Sequence, residues 1–302
     1  MRVPFVTADV FTDRAFGGNQ LAVFPDARSI DAALMLPIAR EFNFSETTFV
    51  LPPDDPSNTA RVRIFTPGGE LPFAGHPTVG TAHVLAATGV VKLTGDETRI
   101  VFEEGVGPVP VTIRSKDGTP VFAQLTAAKA PEVGPPAPSR ARLADMLSLP
   151  VGAILDGDWS PESVSCGVHF LFIPLADRAA VAAAKLRLDL WEETLAGYVT
   201  SKVFVFARGG ERPGSDIHSR MFAPGIGIAE DPATGSAVVG LAGYLGARDP
   251  RRDGLLEWRV EQGFEMGRPS ILEAEADKAN GVVVRTRVGG SSVIMTEGHL
   301  SL

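Results

Sequence analysis

Two stretches of this sequence repeat each other about half a chain apart, and that constrains the fold more than any other feature. His76-Pro-Thr-Val-Gly-Thr-Ala82 matches Asp231-Pro-Ala-Thr-Gly-Ser-Ala237 at an offset of 155 (76 to 231). Just upstream, Arg63-Ile-Phe-Thr-Pro-Gly68 matches Arg220-Met-Phe-Ala-Pro-Gly225 at an offset of 157 (68 to 225). On this alignment the connection between the two motifs is two residues shorter in the second copy. Two weaker matches keep the same order: Ser45-Glu-Thr-Thr-Phe-Val50 with Ser201-Lys-Val-Phe-Val205, and Gly18-Asn-Gln-Leu-Ala-Val-Phe-Pro25 with Gly167-Val-His-Phe-Leu-Phe-Ile-Pro174. Repetition at this period predicts two copies of one structural unit, and a chain of 302 residues is long enough for two domains.

Each copy reads as β-rich. Val3, Phe5 and Thr7 alternate, Arg99–Phe102 and Val109–Ile113 flank a glycine-containing turn, and Val282–Arg287, Gly289-Gly290 and Val293–Met295 read as a hairpin. Helical patterns are fewer. Ser29 or Asp31 can cap a helix running through Ala39 and Phe42, and Ser139 one through Met146; further short helices are expected over Ala179–Leu186 and from Asp189 to Ala196. The expected class is α+β with strands dominating. The four prolines of Ala130–Pro138 read as an extended connector, and a Pro-rich surface loop inside one domain is the alternative. The expected domains are 1–128 and 129–302, with the last strand (about 290–302) able to return to the first.

In each copy a strand ends at Phe-x-Pro-Gly and a helix soon begins, taken as starting at His76-Pro77 and Asp231-Pro232. Proline suits the first helical position, and Asp231 is a good N-cap. The unpaired N–H groups of a first helical turn favour a carboxylate or phosphate. Two such helices, one per domain, are expected to face one interdomain cleft. Glu46 lies in an apolar run, Phe42–Leu51, where burial raises a carboxyl pKa and suits it to carry protons. Its counterpart Lys202 makes the copies chemically unequal there. Periodicity alone favours a solvent-facing Glu at a strand edge. His83 reads as a packing residue.

Several classes are excluded. An excess of 36 acidic over 28 basic residues argues against a general nucleic-acid binder. One cysteine, Cys166, supplies neither an internal disulfide nor a cysteine-built zinc site. There is no G-x-G-x-x-G after a strand, no P-loop, no H-E-x-x-H, no G-x-S-x-G and no S-x-x-K. Asp9 interrupts the first apolar run too early for a signal peptide, and the best membrane candidate, Ala74–Val91, holds His76, Pro77, His83 and three glycines. A cytoplasmic protein with no membrane partner is expected.

Four segments together resemble the PhzF-like family of phenazine biosynthesis, related in fold to diaminopimelate epimerase. They are Phe16-Gly-Gly-Asn-Gln-Leu-Ala-Val-Phe24, Phe44-Ser-Glu-Thr-Thr-Phe49, Phe65-Thr-Pro-Gly-Gly-Glu-Leu-Pro-Phe-Ala-Gly-His-Pro-Thr-Val-Gly-Thr-Ala82, and Glu230-Asp-Pro-Ala-Thr-Gly-Ser-Ala237. The resemblance implies two similar domains, each a curved sheet or barrel wrapped around a central helix, with the active site in the interdomain cleft. It also implies a cofactor-independent isomerase and a homodimer. By motif position Glu46 matches the general acid/base, and His76 and Asp231 match polar residues that hold or polarise substrate. Ser45, Gly75, Gly235 and Ser236 match positions lining the substrate site. The expected substrate is a small carboxylic acid, with a cyclic, dihydro-hydroxyanthranilate-like compound as one candidate; no metal is expected. An amino-acid racemase or epimerase, and a non-catalytic binder of small acids, remain as alternatives. The two-cysteine acid/base pair of diaminopimelate epimerase has no counterpart here, since Cys166 lies outside both helix motifs. Gln20 departs from the family's usual proline after Gly-Asn.

Overall fold

The computed structural model describes all residues from Met1 to Leu302, and the chain folds as two compact units. The first comprises Met1–Ala128 and Val288–Leu302, the second Lys129–Arg287.

The first unit holds β1 (Arg2–Val10), β2 (Asn19–Phe24), α1 (Ala32–Phe42), β3 (Glu46–Leu51), β4 (Ala60–Thr66), β5 (Gly69–Leu71), α2 (Gly75–Ala87), β6 (Glu97–Glu104), β7 (Gly107–Lys116) and β8 (Thr119–Thr126). The second holds β9 (Glu132–Pro136), α3 (Arg140–Met146), β10 (Glu162–Ser165), β11 (His169–Pro174), α4 (Arg178–Ala183), α5 (Leu188–Leu195), β12 (Val203–Arg208), β13 (Ile217–Ala223), β14 (Ile228–Asp231), α6 (Gly235–Arg248), β15 (Gly254–Gln262) and β16 (Ser270–Ala279). β17 (Val282–Gly290) carries the chain back to the first unit, where β18 (Ser292–Ser301) pairs antiparallel with β1 from Arg2↔Ser301 to Val10↔Ser292.

In each unit a sheet surrounds one buried helix. The sequence of α2, GHPTVGTAHVLAA, is apolar or small on every side, and all but its last residue are buried. A helix without a polar face belongs inside; α2 packs on β1, β2, β3, β7 and β8. In the second unit α6 packs on β10, β11, β15 and β16. The enclosing strands alternate strictly: along β6, Thr98, Ile100, Phe102 and Glu104 point inward, and along β16 every second residue is buried. On the outer side of the first unit, α1 covers a cluster of Phe24, Phe49 and Phe65 with Met35, Ile38 and Ala39. Asp31 caps that helix by accepting from Ala33 N–H. In the second unit α3, α4 and α5 bury Leu143, Met146, Val181 and Leu195 against Leu171, Ile173, Val203 and Val205.

Three expectations change. Ala130–Pro138 is not a connector between the units but part of the second; its middle is β9, extended as expected and paired with β10 through Glu162↔Pro136 and Ser165↔Glu132. Its prolines are tolerated because an edge strand leaves N–H positions outside the ladder. Gly289-Gly290 is not a hairpin turn but the end of β17; β17 and β18 are successive strands, and β18 takes β1 as partner. The chain reversal before β17 falls at Asn280-Gly281, both with positive φ (55° and 85°).

The third change concerns the register of the repeat. α2 begins at Gly75 and α6 at Gly235, an offset of 160. Pro72 and Pro232 then correspond, as do His76 and Ser236. Packing supports this register independently. A Cβ on Gly105 would lie 2.7 Å from Pro72 Cα, and one on Gly263 would lie 3.0 Å from Pro232 Cα. The same glycine meets the same proline in both copies. The connection is therefore three residues longer in the second copy (Gly68 to Gly75 against Gly225 to Gly235), because a 3-10 turn over Pro224–Ile226 precedes β14. The His-Pro and Asp-Pro dipeptides correspond in sequence but not in space.

Candidate active site

The first unit brings two of the expected residues into contact. Glu46 opens β3, paired in parallel with β2 at Leu21, and its side chain is 9% exposed. His76 is the second residue of α2, with its side chain 3% exposed. His76 Nε2 lies 3.5 Å from Glu46 Oε2. The periodicity of β3 favours an exposed Glu46, but the strand is buried on both faces, and Glu46 is buried with it.

Burial forces the state of the imidazole. Desolvation pushes the His76 pKa down to about 3, only partly offset by a hydrogen bond to the backbone of Gln20. The ring is neutral at neutral pH, so its contact with Glu46 is a carboxyl–imidazole pair and not an ion pair. Asn19 Nδ2 lies 3.2 Å from His76 Nδ1. Nε2, the atom nearest Glu46, has no hydrogen bond within the chain, so the bond to the Gln20 backbone, which favours the protonated ring, is made from Nδ1. Asn19 lies in the Gly-Gly-Asn-Gln segment, yet nothing in its sequence position predicted this contact.

The start of α2 is laid bare by its own sequence. Its N-cap is Ala74, which has no side chain able to cap, so the first N–H groups, those of Gly75 and His76, have no intrahelical acceptor. Pro77 is the third helical residue and not the first, still within the turn where a missing N–H costs nothing. Ser45 immediately precedes β3 and is half-buried, next in chain to Glu46.

In the second unit the expected N-cap moves. Asp231 is the last residue of β14, and the cap of α6 is Thr234. Asp231 is 4% exposed; its Oδ2 accepts from Thr234 Oγ1 at 2.5 Å. Gln262 closes the loop: its Nε2 donates to the Asp231 carbonyl at 2.7 Å, and its Oε1 accepts from Thr234 N–H at 3.1 Å. Gly235 and Ser236 are the first two residues of α6. Cys166 is buried, and desolvation pushes its thiol up to about 11, which keeps it protonated and inert.

A double-unit fold with a buried helix at the heart of each unit is the diaminopimelate epimerase-like architecture, and a carboxyl–imidazole pair at a bare helix start equips it for proton transfer. The chain matches the family described as Phenazine biosynthesis-like protein (PhzC–PhzF) over residues 8–298, and it belongs to that family. It is 38% identical to the Uncharacterized isomerase mll1393 of Mesorhizobium japonicum, covering 98% of each chain. It is 35% identical to the trans-2,3-dihydro-3-hydroxyanthranilate isomerase of Pseudomonas chlororaphis, covering 99% of each. The crystal structure of a Bacillus anthracis PhzF-family protein superposes with a TM-score of 0.88 at 24% identity, covering all of both chains.

Proposed function

We propose that this protein is a cofactor-independent isomerase that moves a proton between carbons of a small carboxylic acid, with Glu46 as the acid/base. The observation that carries this reading is the buried contact of Glu46 with a neutral His76, 3.5 Å apart at the uncapped start of α2. Family membership and the isomerase names of the relatives support it.

In the proposed reaction Glu46 takes a proton from a substrate carbon as that C–H bond breaks. The electron pair delocalises toward the substrate's unsaturated system. His76 faces Glu46 as a neutral ring, and the backbone N–H groups of Gly75 and His76 donate to the anion that develops. Glu46 then returns the proton to a different carbon, so the substrate is neither oxidised nor reduced. Ser45 and Gly75, with Asp231, Gly235 and Ser236 from the second unit, are assigned to substrate holding, with Asp231 sharing the polarising role of His76. A homodimer in the cytoplasm completes the reading; light scattering of the purified chain checks the first part.

The test uses trans-2,3-dihydro-3-hydroxyanthranilate, the compound in the Pseudomonas relative's name, together with a panel of cyclic and acyclic amino acids, in deuterium oxide. Expected is deuterium at a new carbon of one substrate, with turnover in Glu46→Gln reduced about 10²- to 10⁴-fold while binding of that substrate persists. Deuterium only at an α-carbon, with no double-bond shift, makes the protein a racemase or epimerase. Binding without exchange in the wild type makes it a carrier and overturns the catalytic reading.

A further inference from the structure

The mechanism above leaves one buried acid unused. Glu104 ends β6 as the fourth inward-facing residue of a strand whose other inward positions are Thr98, Ile100 and Phe102. Its Oε1 lies 2.6 Å from Thr78 Oγ1, in the first turn of α2, and its Oε2 is buried without a hydrogen bond. Thr78 Oγ1 also lies 2.7 Å from the carbonyl of Ala74, the residue before the helix.

The proton count decides the state of this group. A threonine hydroxyl has one proton to give. The Ala74 carbonyl and Glu104 Oε1 both lie within 2.7 Å of Oγ1, so the two contacts together need two protons, of which the hydroxyl supplies one. A carboxyl proton on Glu104 supplies the other. The surroundings agree. The cleft beside Glu104 is lined by Asp54, Arg61, Arg63, Glu70 and Glu103. Each of these has a partner of its own: Arg61 with Asp54, Arg63 with Glu70 in a two-bond fork, Glu103 with the N–H groups of Asp54 and Asp55. On α2 the titratable groups are His76 and His83, both kept neutral by burial. No cation compensates a charge on Glu104.

The second copy of the repeat supplies a control within the same molecule. β4 pairs in parallel with β6 at Arg61↔Glu103, and β13 with β15 at His218↔Glu261. Glu261 accepts the N–H groups of Glu211 and Arg212 as Glu103 accepts those of Asp54 and Asp55. The next residues, Glu104 and Gln262, therefore correspond. Gln262 is neutral, and its Nε2 donates to Thr234 Oγ1, at the cap of α6, at 3.0 Å. Both copies thus reach from the end of this strand to a threonine at the start of the central helix with a neutral donor.

We propose that Glu104 is a positioning residue: as a protonated carboxylic acid it holds the first turn of α2 through Thr78, and its ionisation releases the turn that carries Gly75 and His76. The proposal rests on the reading of that turn as part of the active site. Desolvation raises the Glu104 pKa to about 8, so the release falls on the alkaline side. In the unfolded chain the group ionises near its ordinary value, so from there to about pH 8 the folded state holds one extra proton. Its contribution to stability is therefore lost as pH rises through this window.

The test compares the full-length wild type with Glu104→Gln, which retains a neutral donor. The ratio of their unfolding constants in urea is expected to rise about tenfold per pH unit between about pH 6 and 8 and then level off. In samples carrying ¹³C-labelled histidine, with His76 assigned through His76→Asn, the His76 ring resonance of the wild type is expected to titrate near pH 8. That step disappears in Glu104→Gln and in Thr78→Val. A ratio independent of pH, or a His76 step that persists in Glu104→Gln, overturns the proposal. If Glu104→Gln does not fold, infrared spectra of the wild type decide: a protonated-carboxyl band present at neutral pH and lost above pH 8 supports it, and its absence at neutral pH overturns it. None of these readouts requires turnover, so they stand or fall separately from the isomerase assignment.

Discussion

The imidazole of His76 is made useful by where it is placed. In water it would be half-protonated near pH 6.5 and its hydrogen bonds would be shared with solvent. Buried beside Glu46, with Asn19 next to Nδ1 and the ring bonded to the Gln20 backbone, it is a neutral imidazole cut off from solvent. This has a cost that is measurable in acid. The folded pKa, about 3, lies below the ordinary 6.5, so between these values the unfolded chain binds more protons than the folded one. Stability is complete above about pH 6.5 and falls as the pH is lowered. His83, pushed down to about 4 by burial, adds a loss of the same sign. Replacing His76 with Asn is expected to make the acid limb of urea unfolding shallower by about 1.4 kcal/mol per pH unit between about pH 6 and 4; an unchanged slope would show that His76 protonates freely in the folded protein. The identities of Glu46 and His76 were legible from their motifs, but their burial was not. β3 is covered on both faces, and a strand buried on both faces carries no alternation to show which side chains point where. Glu104 had a legible signal that the motif reading passed over, a carboxyl in phase with the inward residues of β6.

At the scale of the element, the two central helices show what a repeat in sequence does and does not determine. The presence of one buried helix per copy, following a strand that ends at Phe-x-Pro-Gly, was readable from the recurring motifs. The register was not, because matching His76-Pro77 to Asp231-Pro232 satisfies similarity while the backbone equates Gly75 with Gly235. What fixes the backbone register is contact: Pro72 against Gly105 and Pro232 against Gly263. Such contacts join residues distant in sequence and leave no local pattern. The same kind of contact governs Gly80 within α2. In an exposed helix, replacing a glycine with a residue bearing a side chain is favourable by up to about 1 kcal/mol. Here a Cβ would lie 2.5 Å from Val10 Cγ2 and 2.6 Å from Leu21 Cδ2. Gly80→Val is therefore expected to destabilise the first unit by about 1–3 kcal/mol, read as a lower urea midpoint. A midpoint equal to or above that of the wild type would mean that β1 and β2 can move away from α2 without loss.

At the scale of the whole molecule, the chain completes its first unit last. It leaves that unit after Ala128, builds the second, and returns at Val288. β18 then pairs along the full length of β1 and buries Thr7 Oγ1 against Thr296 Oγ1 at 2.5 Å, while Leu300 packs on the outer aromatic cluster with Val3 and Phe24. The second unit depends on none of these residues for its own core, which is built from α3–α5 against β11 and β12 and from α6 against its strands. Deleting residues 291–302 strips one whole ladder from β1 and leaves a nine-residue strand with an unpaired edge. A domain's net stability is only about 5–15 kcal/mol, and about 1 kcal/mol is lost per hydrogen bond removed, before any apolar burial is counted. The truncated chain is therefore expected to lose the first unit and keep the second. Hydrogen exchange followed by mass spectrometry resolves this directly, because α2 and α6 fall in separate peptides. Peptides from α2 should exchange to completion within the shortest labelling time while those from α6 remain protected. Equal protection of both helices would show that β1 holds its place without β18. Equal loss in both would show that the second unit cannot stand when the first is open, and that the two copies of the repeat form a single cooperative unit.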